Sequence, residues 1–431
     1  MSSAPEKNLT ALCEKAIGDT AGKIPAVWNG RRRDCLAGFA KLGLPDAHTE
    51  GYRHAPLQEV FGRELVVAPC GDAGKPTELY TGSAGTVRRI SLVNGCCPDG
   101  FLHEEADGTV WGSLREAAVR YPELAAKYIG ASELGSTAES ALNGAFASDG
   151  AFVFIPQGVR TDGPVLIDME YTGRGLCFPR IVVAVADGGK AEVAVVTRSD
   201  DGVSVLANRV QEIYLGEKSR LEVFSVTFAG ADTAEVGSGF VMQSEGSVYE
   251  ETFTEVSEGD FSRFGRRIDL NGREAECRLR GLFMGGCGTK RSVDLTVNHV
   301  APLCRSDQLV KGVVWDDGVG SFRGLVRVHR DAQKTEAYQQ SRNVQLGDGA
   351  RIYTEPQLEI YADDVKCSHG ATVGRLDGES VFYMRQRGLS LADARRLQLV
   401  GFIRDIFDRC PYDALCGRIS EVIDKSLERI L

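Results

Sequence analysis

Hydrophobic and polar positions change period twice along the chain. Near the N-terminus Leu9, Leu12, Ala16 and Ile17 recur at helical spacing, and a second helical run from Pro25 carries Trp28, Cys35, Leu36 and Phe39 until Gly43 and Pro45 stop it. Short apolar runs, Leu65 to Ala68 and Ile90 to Val93, interrupt this between Glu64 and Trp111, so that stretch reads as mixed; helical spacing returns from Leu114 to Tyr128. From about residue 150 the period becomes two. Ala275, Cys277 and Leu279 alternate with Glu276, Arg278 and Arg280, and the same holds for Val293, Leu295 and Val297 and for Leu358, Ile360 and Ala362. These are half-buried strands. After residue 376 the period is helical again. Asp377 caps a short helix that ends at Gly388, and Ser390 with Asp393 opens another carrying Leu397, Val400, Ile403 and Ile406 as far as Pro411. A last helix is expected over 412–431, with Tyr412, Leu415, Ile419, Val422 and Ile430 on one stripe. The chain therefore divides into a mainly helical or mixed region 1–130, a β region 131–370 and a helical region 371–431.

Glycine turns punctuate the β region at a loose interval. Gly188, Gly216, Gly246, Gly272, Gly318 and Gly347 are separated by 28, 30, 26, 46 and 29 residues, and the long gap holds its own turn cluster at Gly285, Gly286 and Gly288. Short strands between turns at a steady spacing fit stacked coils, each burying its apolar face on the next. A parallel β-helix is the preferred fold on this pattern, with helices at both ends as caps over its open edges. A sandwich or a propeller is the alternative, though propeller blades repeat at roughly 40–50 residues with signature dipeptides that are missing here.

Composition narrows the function classes. The 431 residues are 43% hydrophobic and 26% charged, as in an ordinary globular protein. No stretch of about 18 apolar residues is free of charge, and the polar N-terminus lacks the basic start and apolar run of a signal peptide, so a cytoplasmic protein is expected. The net charge of −10 and a single dense basic run, Arg31 to Arg33, argue against a nucleic-acid groove. Twelve cysteines spread over such a chain read as reduced thiols.

Common catalytic signatures are missing. There is no phosphate loop, no His-Glu-x-x-His, no Gly-x-Ser-x-Gly and no Cys-x-x-Cys. Gly285 to Lys290 lacks the Gly-Lys-Ser/Thr ending and is read as a plain turn. Cys367 and His369 are the densest thiol and imidazole pair: two apart on a strand, they face one side roughly 6.5–7 Å apart and can reach one metal or one cluster. Thiolate and neutral imidazole both suit iron. Two ligands do not close a tetrahedral site, so further ligands would come from elsewhere in the chain or from a partner; a buried Cys367 and a turn-bound His369 are the plainer reading. His299 and Cys304 flank Pro302 in what reads as a loop, and Cys96 and Cys97 point apart and read as structural. Asp363 and Asp364 face opposite sides and do not flank one bond.

The run from Leu358 through Ala362-Asp363-Asp364-Val365-Lys366-Cys367-Ser368-His369-Gly370-Ala371-Thr372 to Gly374, with Leu376-Asp377, Phe382-Tyr383 and Arg387-Gly388, closely resembles the SufB/SufD family of iron–sulfur cluster assembly proteins, and within it the SufD branch. Asp331 to Thr335, Pro356-Gln357 and Arg33 through Leu44-Pro45 fit the same pattern, so the resemblance spans nearly the whole chain. It departs at Glu50-Gly51-Tyr52-Arg53-His54-Ala55, where the family commonly reads Glu-x-Trp-Arg/Lys-Tyr-Thr.

The resemblance implies a right-handed parallel β-helix between helical ends, a heterodimer with a SufB-like subunit, and SufC-like ATPase subunits docked on the C-terminal helices. On the family pattern His369 matches the histidine that faces a SufB cysteine where a transient iron–sulfur cluster forms, and Cys367 is its neighbour. The expected role is a non-catalytic scaffold. Leu397, Val400, Ile403 and Ile406 form the expected ATPase-docking stripe. A homodimer is the other pairing open to the isolated chain, and a β-helix enzyme acting on polysaccharide is the competing class.

Overall fold

A computed structural model describes residues 3–63, 66–71, 88–132, 135–256 and 258–407, with Gly417, Ser420, Glu421 and Asp424. The helix expected over 412–431 lies almost wholly outside these residues. The period-two alternation becomes a parallel β-solenoid. From Ala151 onward the longer strands alternate between two stacked parallel sheets, so each coil contributes one strand to each. Among the described residues one sheet has nine strands and the other eleven.

Register fixes the coil length. Lys190, Arg220, Val248, Glu276, Arg305, Glu336 and Lys366 stand side by side on successive strands, an advance of 28 to 31 residues per coil. The irregular gap in the glycine series then has a physical reason. Gly188, Gly216, Gly246 and Gly272 lie before strands of the nine-stranded sheet, whereas Gly318 and Gly347 lie before strands of the other. The left-handed position two residues before each strand of the nine-stranded sheet from Lys190–Ser199 to Glu336–Leu346 is held in turn by Gly188, Lys218, Gly246, Glu274, Leu303 and Lys334, so glycine is not obligatory there.

Inside, the alternating positions interlock as one long core containing Val193, Val223, Tyr249, Phe253, Leu279, Phe283 and Phe322. The helices are placed otherwise than expected: the described ones cover the faces of the solenoid, and among the described residues its C-terminal edges stay open. Ser3 caps the helix Ala4–Asp19 in a capping box with Glu6, and Gly43 (φ 66°) ends the helix Ala26–Leu42. Their apolar faces, through Leu9, Cys13 and Phe39, join the helix Ala138–Phe146 on the outer side of the eleven-stranded sheet at Leu206, Val236 and Phe240. The basic run serves this packing: Arg32 is buried and donates to the carbonyls of Ala145 and Phe146, satisfying the end of Ala138–Phe146. At the far end the helix Leu391–Phe407, capped by Ser390, lies on the outer side of the nine-stranded sheet.

The mixed stretch resolves, and one sequence expectation changes. The run at Ile90 belongs to the solenoid, since Arg88–Val93 pairs in parallel with Val165–Tyr171. The cysteines are not all reduced: Cys70 and Cys96 are joined in a disulfide. Cys97 points away from Cys96 into the core, as alternation requires.

Candidate functional site

The last coil positions the site. The strand Lys366–Gly374 pairs with Glu336–Leu346 and ends the nine-stranded sheet, while Arg351–Ile360 ends the other. Both terminal strands carry a free edge among the described residues. Every residue of Lys366–Gly374 is exposed except Cys367, which is half-buried.

Cys367 and His369 point the way their register partners do, into the solenoid. Cys277, Ser306, Ala337 and Cys367 form one column, and Leu279, Gln308, Gln339 and His369 the next. Both columns begin in the apolar core; the first stays mostly apolar, with Cys367 packed beside Ala337, Val326 and Val328, while the second turns polar over the last coils. Gln339 donates through Nε2 to Gln308 Oε1 at 3.1 Å, and Asn343 donates through Nδ2 to Ser341 Oγ at 2.9 Å. Gly324 on the facing sheet makes room, because a Cβ there would lie 2.5 Å from Gln339 Nε2. The side-chain carbonyl oxygens of Gln339 and Asn343 are buried without a hydrogen bond. Sequence reading missed this polar lining, although Gln339, Ser341 and Asn343 stand at period two among otherwise apolar inward positions.

Cys367 and His369 thus share one face at the open mouth of the solenoid. Burial raises the Cys367 thiol above its ordinary value, so the thiolate needs a metal or a partner cation to form. Among the described residues no three His, Cys, Asp or Glu side chains converge as a metal centre. The pair offers two ligand positions and an open side.

The other sequence candidates take structural places. His299 closes the strand Lys290–His299, contacts Ser306 Oγ at 2.9 Å through Nε2, and is pushed down to about 4 by burial. Cys304 is buried against Gly272 O, and burial pushes its thiol up to about 11. Gly285 to Lys290 forms a turn between two strands, and Asp364 accepts through its carbonyl from Lys334 N in another.

The C-terminal stripe divides between solvent and sheet. Leu397 is 52% and Val400 36% exposed, whereas Ile403 (4%) and Ile406 (1%) pack on Leu282, Val313 and Val344. Steps of three residues fall behind the helical turn by about 60° each, so residues 397 and 406 face opposite sides. Exposed Phe382, Tyr383, Leu389 and Leu391 on and near the preceding helix Gly378–Gln386 lie on the exposed surface with Leu397. No helix among the described residues is long and apolar enough to cross a membrane.

The solenoid thus has an apolar core, helices on its faces and, at its last coil, Cys367 and His369 on one strand face. Residues 169–402 match the SUF system FeS cluster assembly SufBD core domain, and residues 3–167 match the SufBD protein N-terminal region. The chain belongs to the SufBD family of iron–sulfur cluster assembly proteins. It is 27% identical over 443 residues to a SufBD family protein of Synechocystis, covering 97% of this chain and 95% of that one. It is 39% identical over 148 residues to the iron–sulfur cluster assembly protein SufD of Escherichia coli, covering 34% and 35%. A chloroplastic protein of Arabidopsis thaliana, ABCI7, is 28% identical over 341 residues, 74% and 70% of the two chains. The polysaccharide reading is not favoured.

Proposed function

We propose that this chain is a SufD-type, non-catalytic scaffold subunit acting in the cytoplasm. Its open solenoid end pairs with a SufB-like subunit, and a transient iron–sulfur cluster forms as cargo between them. One observation carries this reading: Cys367 and His369 share the inward face of a terminal strand whose outer edge has no strand partner among the described residues. A neutral imidazole binds iron without first losing a proton, whereas the Cys367 thiol is held protonated by burial. His369 is therefore the primary ligand and Cys367 the supporting one, and the partner supplies the remainder. The free edges that receive a SufB-like subunit also fit a second copy of this chain in isolation. A SufC-like ATPase docks on the exposed apolar residues Phe382, Tyr383, Leu397 and Val400, and ATP hydrolysis belongs to it.

The test is anaerobic reconstitution of the three-subunit complex with iron and sulfide, reading visible charge-transfer absorbance per complex. His369→Ala should leave assembly intact and abolish most of the cluster, with Cys367→Ala losing less. Wild-type cluster content in a correctly assembled His369→Ala complex would overturn the ligand role and leave a subunit that only organises its partners.

A further inference from the structure

A cavity of about 470 Å³ lies far from the open end, between the helix Ala4–Asp19, the end of Ala138–Phe146 and the first coils. Part of its wall is a strap, residues 66–71, laid over the strand Arg174–Cys177. Ala68 N donates to Leu176 O at 2.7 Å, Leu176 N donates to Val66 O at 2.7 Å, and Asn94 Nδ2 donates to Pro69 O at 2.9 Å. Cys70 ends the strap and Cys96 belongs to the neighbouring turn; their disulfide spans a Cα separation of 5.7 Å. Cys177 lies under the strap. It is 2% exposed and packs with Ala68, Tyr171, Val205 and Ala207.

Three features set this bond apart from a structural core crosslink. Cys70 is exposed and Cys96 half-buried, so the sulfurs are within reach of solution thiols. The thiols beside it cannot compete as nucleophiles: burial pushes Cys97 up to about 11 and Cys177 well above its ordinary value. Among the described residues, three hydrogen bonds and the packing of Ala68 are what otherwise hold the strap.

We propose that Cys70 and Cys96 form a thiol–disulfide exchange site whose co-reactant is a low-molecular-weight thiol, and that its redox state gates the cavity over Cys177. A thiolate RS⁻ attacks one sulfur of the pair; the Cys70–Cys96 bond breaks, a mixed disulfide forms, and the departing sulfur takes a proton from water. A second RS⁻ displaces the remaining cysteine, giving RSSR and two protein thiols. Two electrons pass from the small thiols to the protein, and the reverse sequence with RSSR restores the clamp. In the reduced state the strap lifts from Arg174–Cys177 and the cavity opens.

The experiment uses the full chain, oxidised with glutathione disulfide or reduced with glutathione, pulsed with N-ethylmaleimide and mapped by peptide mass. The expected result is a linked Cys70–Cys96 peptide with slow Cys177 labelling after oxidation. After reduction both cysteines should label, and Cys177 should label about tenfold faster through local opening. Cys70→Ser should show the fast Cys177 rate under either condition. Cys277, buried in the main core, serves as the reference and should stay slow throughout. Failure of Cys70 and Cys96 to link under glutathione disulfide would overturn the exchange site. Equal Cys177 rates in both states, or a parallel rise at Cys277, would overturn the gate.

Discussion

His369 stands directly opposite Gln339 in the last strand pair, and Gln339 reaches back to Gln308 one coil earlier. The amide donates inward and leaves its buried carbonyl oxygen without a donor. A buried acceptor in that state costs about 1–3 kcal/mol, which a donor from the imidazole or from a docking partner recovers. The polar column is therefore organised toward the open end. Gln339→Leu should leave the three-subunit complex assembled while lowering its cluster content, by less than His369→Ala does. Unchanged absorbance per complex in Gln339→Leu would show that His369 does not depend on the column.

The C-terminal helix supplies a paired prediction. Leu397→Ala with Val400→Ala should leave thermal stability unchanged and weaken ATPase binding by about 1–2 kcal/mol per side chain, roughly tenfold each, if both are anchors. Ile403→Ala with Ile406→Ala removes buried contacts to the sheet and should cost about 2–5 kcal/mol of stability per residue. Calorimetry of the free chain and titration with the ATPase separate the two. Loss of stability in the first pair would place Leu397 and Val400 in the core, and undiminished binding would remove them from the contact.

Much of this architecture was legible because it rests on local periodicity. Alternation at Ala275 to Arg280 located a strand with correct faces, and the Asp377 and Ser390 caps located two helix starts. Long-range placement was not legible. Nothing local distinguishes a helix that caps a solenoid end from one lying on its face, since both need one apolar stripe. The expected docking stripe divides for a related reason: apolar residues three apart look collinear in sequence but wind around the helix. Cys367 and His369 could be paired from spacing two, yet their inward direction and open edge depend on Ala337 and Gln339, some 30 residues earlier. The Cys70–Cys96 contact joins a strap to a turn, with no periodic signal to announce it.

Gly272 tests why the turns are glycine. A Cβ at that position would lie 1.9 Å from Glu245 N, which is backbone of the preceding coil and cannot rotate away. Close stacking of successive turns, and not a left-handed φ, excludes a side chain here. Gly272→Ala should destabilise the chain by about 1–3 kcal/mol through forced displacement. Gly158 has open space around it, although its φ of 71° adds strain of its own, so Gly272 is the cleaner probe of packing. A wild-type urea midpoint in Gly272→Ala would refute tight coil contact at this corner.

Acid stability should report on His299. Burial holds this imidazole neutral, with its folded value pushed down to about 4, against about 6.5 in an unfolded chain. The unfolded state therefore takes up the proton first as pH falls. Stability from this group is complete above about pH 6.5, declines between 6.5 and 4, and is flat below, a loss on the order of 2–3 kcal/mol by pH 4.5. A second buried group slopes the other way in the same window. Glu255, raised to about 7 by burial and by neighbouring Glu235, keeps its proton in the fold, so its contribution is present below about pH 4.5 and is lost as pH rises through 7. The wild-type curve mixes both, and its overall slope identifies neither. Comparison with His299→Gln isolates the histidine, because glutamine is neutral at every pH and can still reach Ser306 Oγ. Between pH 7 and 4.5 the wild type should lose about 2–3 kcal/mol more unfolding free energy than the variant, measured by urea titration at each pH. Parallel curves for the two proteins would mean that His299 titrates alike in both states and is not held neutral by its burial.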